Sequence, residues 1–208
     1  MSSVIDICNM SLYRIGNSTR IDDLTENSVE AEVLGQFYEN CRDFVLRDYD
    51  WGFATAFAQL AEVEANPNPE FAYAYAVPND CIRVRRIVNT AWQAGNWPCD
   101  QPLPEIPRIK FRVINGGSQR LISTSLQPAT LEYTVKVESP EMFDPIFVSA
   151  LAWYLAAQVA APLAKSDAIV QKCAGMYQME IAKAAAAALN EGTDTYPRES
   201  TFITGRGA

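Results

Sequence analysis

The stretch Ile146–Ala164 runs for nineteen residues without a formal charge, and its fate decides what the rest of the chain can be. A membrane-spanning helix needs about 17 to 25 predominantly apolar residues. Seven residues of the stretch (Ile146, Phe147, Val148, Leu151, Leu155, Val159 and Leu163) each favour the bilayer centre by only ~0.3–0.6 kcal/mol, a sum of roughly −3 kcal/mol. Most of the others are Ala, and Ser149, Gln158 and Pro162 weigh against insertion. Lys and Arg are not gathered on one flank, so nothing sets an orientation. The stretch therefore reads as a buried helix of a protein in water, with no membrane span. Ser139, Pro140 and Glu141 resemble a helix start, with a cap, a first position that needs no amide hydrogen and an acid at the positive end. Pro162 is expected to end or kink the helix.

Two further helices precede a region of strands. Ser3 and Asp6 form an S-x-x-D start, and Val4, Ile7, Cys8, Leu12 and Ile15 recur at helical spacing until Gly16. Asn27 with Glu30 predicts the cap of a second helix, with Val29, Val33, Phe37, Cys41, Phe44 and Val45 as one stripe. Glu30, Glu32, Glu39 and Asp43 fall on the opposite face, which reads as solvated. Residues 53–63 fit a short helix and a strand equally. From Phe71 to Val137 the pattern is of strands: Phe71/Tyr73/Tyr75, the apolar run Ile82/Val84/Ile87-Val88, Ile109/Phe111/Val113, Leu121-Ile122 and Leu131/Tyr133/Val135/Val137. Asn115-Gly116-Gly117-Ser118 predicts a hairpin turn, and Trp92–Pro107, with four prolines, a long surface loop. A last helix is expected from a Ser166 cap to Glu191, with Gly192 as stop and the alanines at 184–188 allowing close helix contact. The expected fold class is α+β: four long helices, a small antiparallel sheet module between the second and third, and an extended C-terminal tail. The expected division is a helical domain from 1–65 and 138–191, a sheet module at 66–137 and a tail at 192–208.

The composition closes off much chemistry. No histidine occurs in the 208 residues, which removes the usual general base and the commonest metal ligand. The cysteines Cys8, Cys41, Cys81, Cys99 and Cys173 are odd in number and widely spaced, so free buried thiols are expected and neither a disulfide framework nor a zinc site. The first residues lack the basic start and cleavage site of a signal peptide, which predicts a cytosolic product. No phosphate-binding or dinucleotide-binding loop, nucleophile elbow or metal-ligand cluster is present; no cofactor, no metal and no catalytic residue are expected. Asp22/Asp23, Asp48/Asp50 and Glu138/Glu141 are the carboxylate pairs that acid–base chemistry would have to use, and capping or surface charge is the simpler reading of each.

The net charge of −8 is unevenly spread. Residues 83–120 hold Arg83, Arg85, Arg86, Arg108, Lys110, Arg112 and Arg120 against Asp100 and Glu105, an excess of five positive charges that leaves thirteen negative ones elsewhere. The period-two spacing of Arg83/Arg85 and Lys110/Arg112 is that of strands with one wet face, which ranks solvent or a protein contact ahead of specific DNA binding. In the tail, Tyr196, Phe202 and Ile203 are apolar anchors among polar residues, beside Arg198 and Arg206, a pattern that suits docking on another chain.

A set of residues in fixed order gives the chain a likeness. Ile7-Cys8-Asn9 with Ile15-Gly16, Phe37-Tyr38 with Arg42-Asp43 and Leu46-Arg47, and Trp51-x-Phe53-Ala54 come first. Tyr75, Pro78-x-Asp80-Cys81-Ile82-Arg83-Val84, Leu131-x-Tyr133 and Phe143-Asp144-Pro145 with Phe147 and Ala150-Leu151-Ala152 follow. Across roughly residues 4–165 the chain resembles the head-to-tail adaptors of short-tailed bacteriophages, also called tail tubular protein A or head-completion adaptors. The resemblance implies a non-enzymatic structural protein of the virion neck, assembled in the host cytoplasm. It implies a wedge-shaped subunit of a dodecameric ring that docks on the portal protein and extends the DNA channel without sequence-specific binding. It also implies a platform for nozzle subunits similar to tail tubular protein B and for tail fibres. The tail residues Tyr196, Arg198, Phe202, Ile203 and Arg206 are then the candidates for portal contact. The competing reading is a virion-associated peptidoglycan hydrolase, an activity ascribed to some similar adaptors, which here would run on Asp and Glu alone.

Overall fold

A computed structural model describes residues 3–64, 66–88, 108–117 and 119–191. The Trp/Pro-rich segment 92–107 with Cys99, and the tail residues Tyr196, Arg198, Phe202, Ile203 and Arg206, lie outside the described residues. The fold is α+β. Helices α1 (Val4–Arg14) and α2 (Val29–Asp48) come first, then strands β1 (Thr55–Gln59), β2 (Tyr73–Ala76), β3 (Cys81–Val88), β4 (Phe111–Asn115), β5 (Arg120–Thr124) and β6 (Thr130–Val135), then helices α3 (Pro145–Ala164) and α4 (Asp167–Glu191).

Local chemistry accounts for most helix ends. Ser3 and Asp6 cap α1 reciprocally, each satisfying the other's backbone amide, and Gly16 closes the element with φ +82°. The cap of α2 is Ser28, whose hydroxyl accepts from the Ala31 amide, and not Asn27 as the Asn27/Glu30 spacing suggests. The Ser139-Pro140-Glu141 signal makes only one tight turn, Pro140–Met142; α3 starts at the next cap-proline pair, where Asp144 accepts from the Ile146 amide at 2.7 Å. Pro162 does not end α3. It sits in the last turn, where few backbone bonds remain to lose, and the helix closes at Lys165 in the left-handed region. The backbone carbonyl of Ser166 takes the first amides of α4, from Ile169 and Val170.

The uncharged stretch is a core helix. It is long and apolar enough to cross a membrane, with a mean hydropathy of 1.7, but α1, α2 and α4 all pack on it. Phe147, Ala150, Leu151, Ala152, Leu155 and Val159 are fully buried, which explains why it is apolar all round. The buried stripe of α2 is Ala31, Leu34, Tyr38, Cys41, Val45 and Leu46, so the expected face is rotated; Val29 and Phe44 stand exposed. Both stripes have helical period, and only contact with α3 selects between them.

Residues 53–63 resolve as a tight turn at Gly52–Ala54 followed by β1. The expected single small sheet is two antiparallel three-stranded sheets, ordered β1-β6-β3 and β2-β5-β4. The Asn-Gly-Gly turn joins β4 to β5: Gly117 has φ +90°, and a Cβ on Gly116 would meet the Leu121 side chain at 2.6 Å. Two apolar clusters result. One gathers the four helices with Trp51 and Phe143; the other, smaller, lies with the sheets around Tyr75, Ile122, Leu131 and Tyr133. Cys8, Cys41, Cys81 and Cys173 are free and buried.

Candidate functional site

The residues with the most unusual surroundings lie where the helices meet the sheet β1-β6-β3. Strand β3 skips register against β6 at Ile82 and at Arg85. Each skip is a bulge, which re-aims a side chain. Arg85 is therefore not on a wet face as its spacing suggests: its side chain is 9% exposed. Its guanidinium donates to Thr134 Oγ1 at 2.9 Å, Thr55 Oγ1 at 2.6 Å and the Trp51 carbonyl at 3.0 Å, and pairs with Asp50 at 3.2 Å. Burial pulls its pKa down, with the nearby Asp50 opposing. A planar five-donor group held in this way joins β1, β6 and the end of α2 in one step.

Neighbouring contacts repeat the theme. Arg47 at the end of α2 donates to the Ile82 carbonyl at 2.9 Å, and Arg83 returns a bond to the Arg47 carbonyl at 3.1 Å while lying 3.3 Å from Asp50. Trp51 Nε1 donates to the Val45 carbonyl at 2.8 Å, and its ring meets Phe147 edge-on at 5.1 Å. Phe53, Phe143 and Phe147 complete an aromatic cluster, with centroids 4.8 to 6.0 Å apart. Arg42, buried, pairs with Asp43 at 2.8 Å, and Lys136 reaches the same carboxylate from beyond β6 at 3.7 Å. Arg120 on β5 donates to the Cys81 carbonyl on β3, tying one sheet to the other.

Much of the central positive excess is thus balanced locally by acids from outside residues 83–120. Asp50 faces Arg83 and Arg85, Glu132 holds Arg86 at 2.5 Å, and Glu70 holds Arg112 at 3.0 Å. Lys110 and Arg112 do keep exposed side chains, as the alternation of their strand predicts.

The carboxylate pairs do not converge on a common cleft. Asp22 is exposed near Arg20, and Asp23 accepts from Thr25. Asp48 accepts the Tyr177 hydroxyl at 2.6 Å, whereas Asp50 turns to β3. Glu138 pairs with Lys136 at 3.0 Å, and Glu141 is exposed. Each is occupied by capping, pairing or solvent.

Two concavities flank the helices. One, of about 320 Å³, lies between residues 49–53 and the last turns of α4, with Trp51, Phe53 and Ile146 against Ala184, Ala187 and Ala188. The other, of about 590 Å³, lies between α2, α3 and α4. There Phe44 stacks on Tyr154 at 4.5 Å, and Tyr154 contacts Tyr177 at 5.0 Å. Burial, followed by the Asp48 hydrogen bond, holds the Tyr177 hydroxyl well above the ordinary phenol range.

Sequence reasoning missed the joining role of Asp50 and Arg85. Their partners lie some thirty or more positions away, and the bulge that turns Arg85 inward leaves no mark in the alternation. No protein-family model matches the chain, and a search of curated proteins finds no significant relative.

Proposed function

We propose that this chain is a structural adaptor subunit of a bacteriophage virion. It works by packing against copies of itself in a ring on the portal, extending the DNA channel and carrying nozzle and fibre subunits. The observation that carries this reading is where the residues of the family likeness fall. Arg42-Asp43, Arg47, Trp51, Phe53, Arg83, Phe143 and Phe147 are spread over more than a hundred positions of the chain. Arg47 and Arg83 tie the end of α2 to β3, Trp51, Phe53, Phe143 and Phe147 form one aromatic cluster, and Arg42 and Asp43 pair with each other and with Lys136. A junction of this kind holds helices and sheets at a fixed angle, which a subunit repeated around a closed ring requires.

Charge fits the same role. DNA must slide through a channel, and each phosphate neutralised by a bore residue adds affinity and hence friction. An acidic chain whose arginines are largely paired internally suits a bore that does not hold DNA. The tail residues Tyr196, Arg198, Phe202, Ile203 and Arg206 are proposed to meet the portal. Electron cryomicroscopy of the chain mixed with its portal tests the reading. Twelve copies in a ring under the portal, around an acidic or neutral bore, are expected. A bore lined by Arg83, Lys110 and Arg112 would contradict it, as would turnover of purified cell wall that a single Asp→Asn change abolishes.

A further inference from the structure

We propose that the groove between residues 49–53 and the end of α4 is the docking site for the chain's own segment 192–198, with Tyr196 seated in it and Arg198 at its rim. Helix α4 passes along this groove and ends at Glu191, one turn beyond Ala187 and Ala188. The chain therefore leaves the helix beside the concavity. Tyr196 is five residues further on, a reach of at most about 17 Å for extended chain, enough to span the one helical turn back to Ala187 and Ala188.

The groove has the size and chemistry for that side chain. It is lined by Trp51, Phe53 and Ile146 and by Ala184, Ala187 and Ala188, three small residues on one face of α4, with Tyr49 bridging the two sides through its hydroxyl bond to the Ala184 carbonyl at 3.3 Å. Larger residues there would fill the space; alanines leave about 320 Å³, room for an aromatic ring and its neighbours. Tyr suits such a site because its ring is apolar while its hydroxyl can stay at the wet edge.

Charge places the next anchor. The last turn of α4 carries no basic residue, so nothing on the helix itself offsets the partial negative charge of its carbonyl end. Asp144, which caps α3 through one oxygen, adds a carboxylate to the same rim. Asp50 is already engaged by Arg83 and Arg85 and contributes little net charge. The segment 192–198 is neutral, with Asp194 and Arg198 each two residues from Tyr196, and Arg198 is its one cation for this rim.

This inference concerns the chain without its portal; the portal contact proposed for Tyr196 and Arg198 requires the segment to leave this groove. It is tested on the full chain, without portal, carrying Tyr196→p-benzoylphenylalanine. Light and isotopically heavy protein are mixed before irradiation, and the cross-linked peptides are mapped by mass spectrometry. The expected product joins position 196 to residues 49–53 or 184–188 within one molecule, and the added change Ala188→Trp, at an exposed position, removes most of it. Cross-links that scatter over the surface, join light to heavy copies, or persist with Ala188→Trp would overturn the proposal. An independent readout is tryptic cleavage after Arg198 in the native chain. Tyr196→Ala is expected to speed it about tenfold, because cleavage follows the population of the undocked form. An unchanged rate would also overturn the proposal.

Discussion

The helical cluster and the sheet cluster are held by different kinds of contact. Around α3 the side chains interlock by shape: Phe147, Leu151 and Leu155 are fully buried, and Trp51, Phe53 and Phe143 close over Phe147. The two sheets have a smaller apolar cluster and are fastened by guanidinium groups, with Arg85 on Trp51 and the threonines, Arg47 on Ile82, and Arg120 on Cys81. Dispersion and burial are forgiving of direction but not of lost volume. Hydrogen bonds to charged groups are the reverse. The two regions should therefore fail in different ways.

Phe147→Ala is the largest expected loss. Removing a fully buried ring that touches three other aromatic residues should cost about 3–5 kcal/mol, read as a lower urea midpoint. Arg85→Ala should cost less, roughly 2–3 kcal/mol, because it takes the guanidinium donor from two part-buried threonine hydroxyls, while the Trp51 carbonyl keeps the Thr55 hydroxyl and the Ala54 amide. Its signature is regional: amide exchange in β1, β3 and β6 should quicken while α3 keeps its protection. Equal quickening in α3 would show that the two regions are one cooperative unit and break the comparison.

Alkaline pH acts mainly on the helical side. Burial pushes the Cys8 and Cys41 thiols up to about 12. The unfolded thiols ionise near pH 9 while the folded ones keep their protons. Stability from this source is intact below about pH 9 and falls as pH rises toward 12, by roughly 1 kcal/mol per pH unit for each thiol. Urea unfolding at pH 8 and pH 10.5 measures it, and a flat profile would contradict the burial of both thiols. The smallest effect is at the sheet surface. Glu70→Gln removes the exposed pair with Arg112 and should change stability by under about 1 kcal/mol, less at high salt.

What was legible in the sequence follows the same division. The ends of α1 could be read from Ser3, Asp6 and Gly16, because capping is local chemistry. Strands β2, β4 and β6 showed as alternation, β3 as an apolar run, and the hairpin to β5 as Asn-Gly-Gly. Choices made by tertiary contact were not legible. Two cap-proline pairs, Ser139-Pro140 and Asp144-Pro145, look alike in sequence, and only packing makes the second the start of α3. The buried face of α2 depends on α3, and the inward turn of Arg85 depends on a register skip against β6. The carboxylates singled out by adjacency, Asp48 and Asp50, separate in space because one meets α4 and the other β3.

Helix α3 is packed among protein helices, and the proposed function is that the molecule fits against copies of itself on a portal. The most direct test is the mass of the chain purified without detergent, measured alone and after mixing with its portal. A stable species in plain buffer that gains a fixed ring complement only in the mixture is expected. Recovery solely in detergent, or a mixture whose masses are those of the separate components, would contradict it.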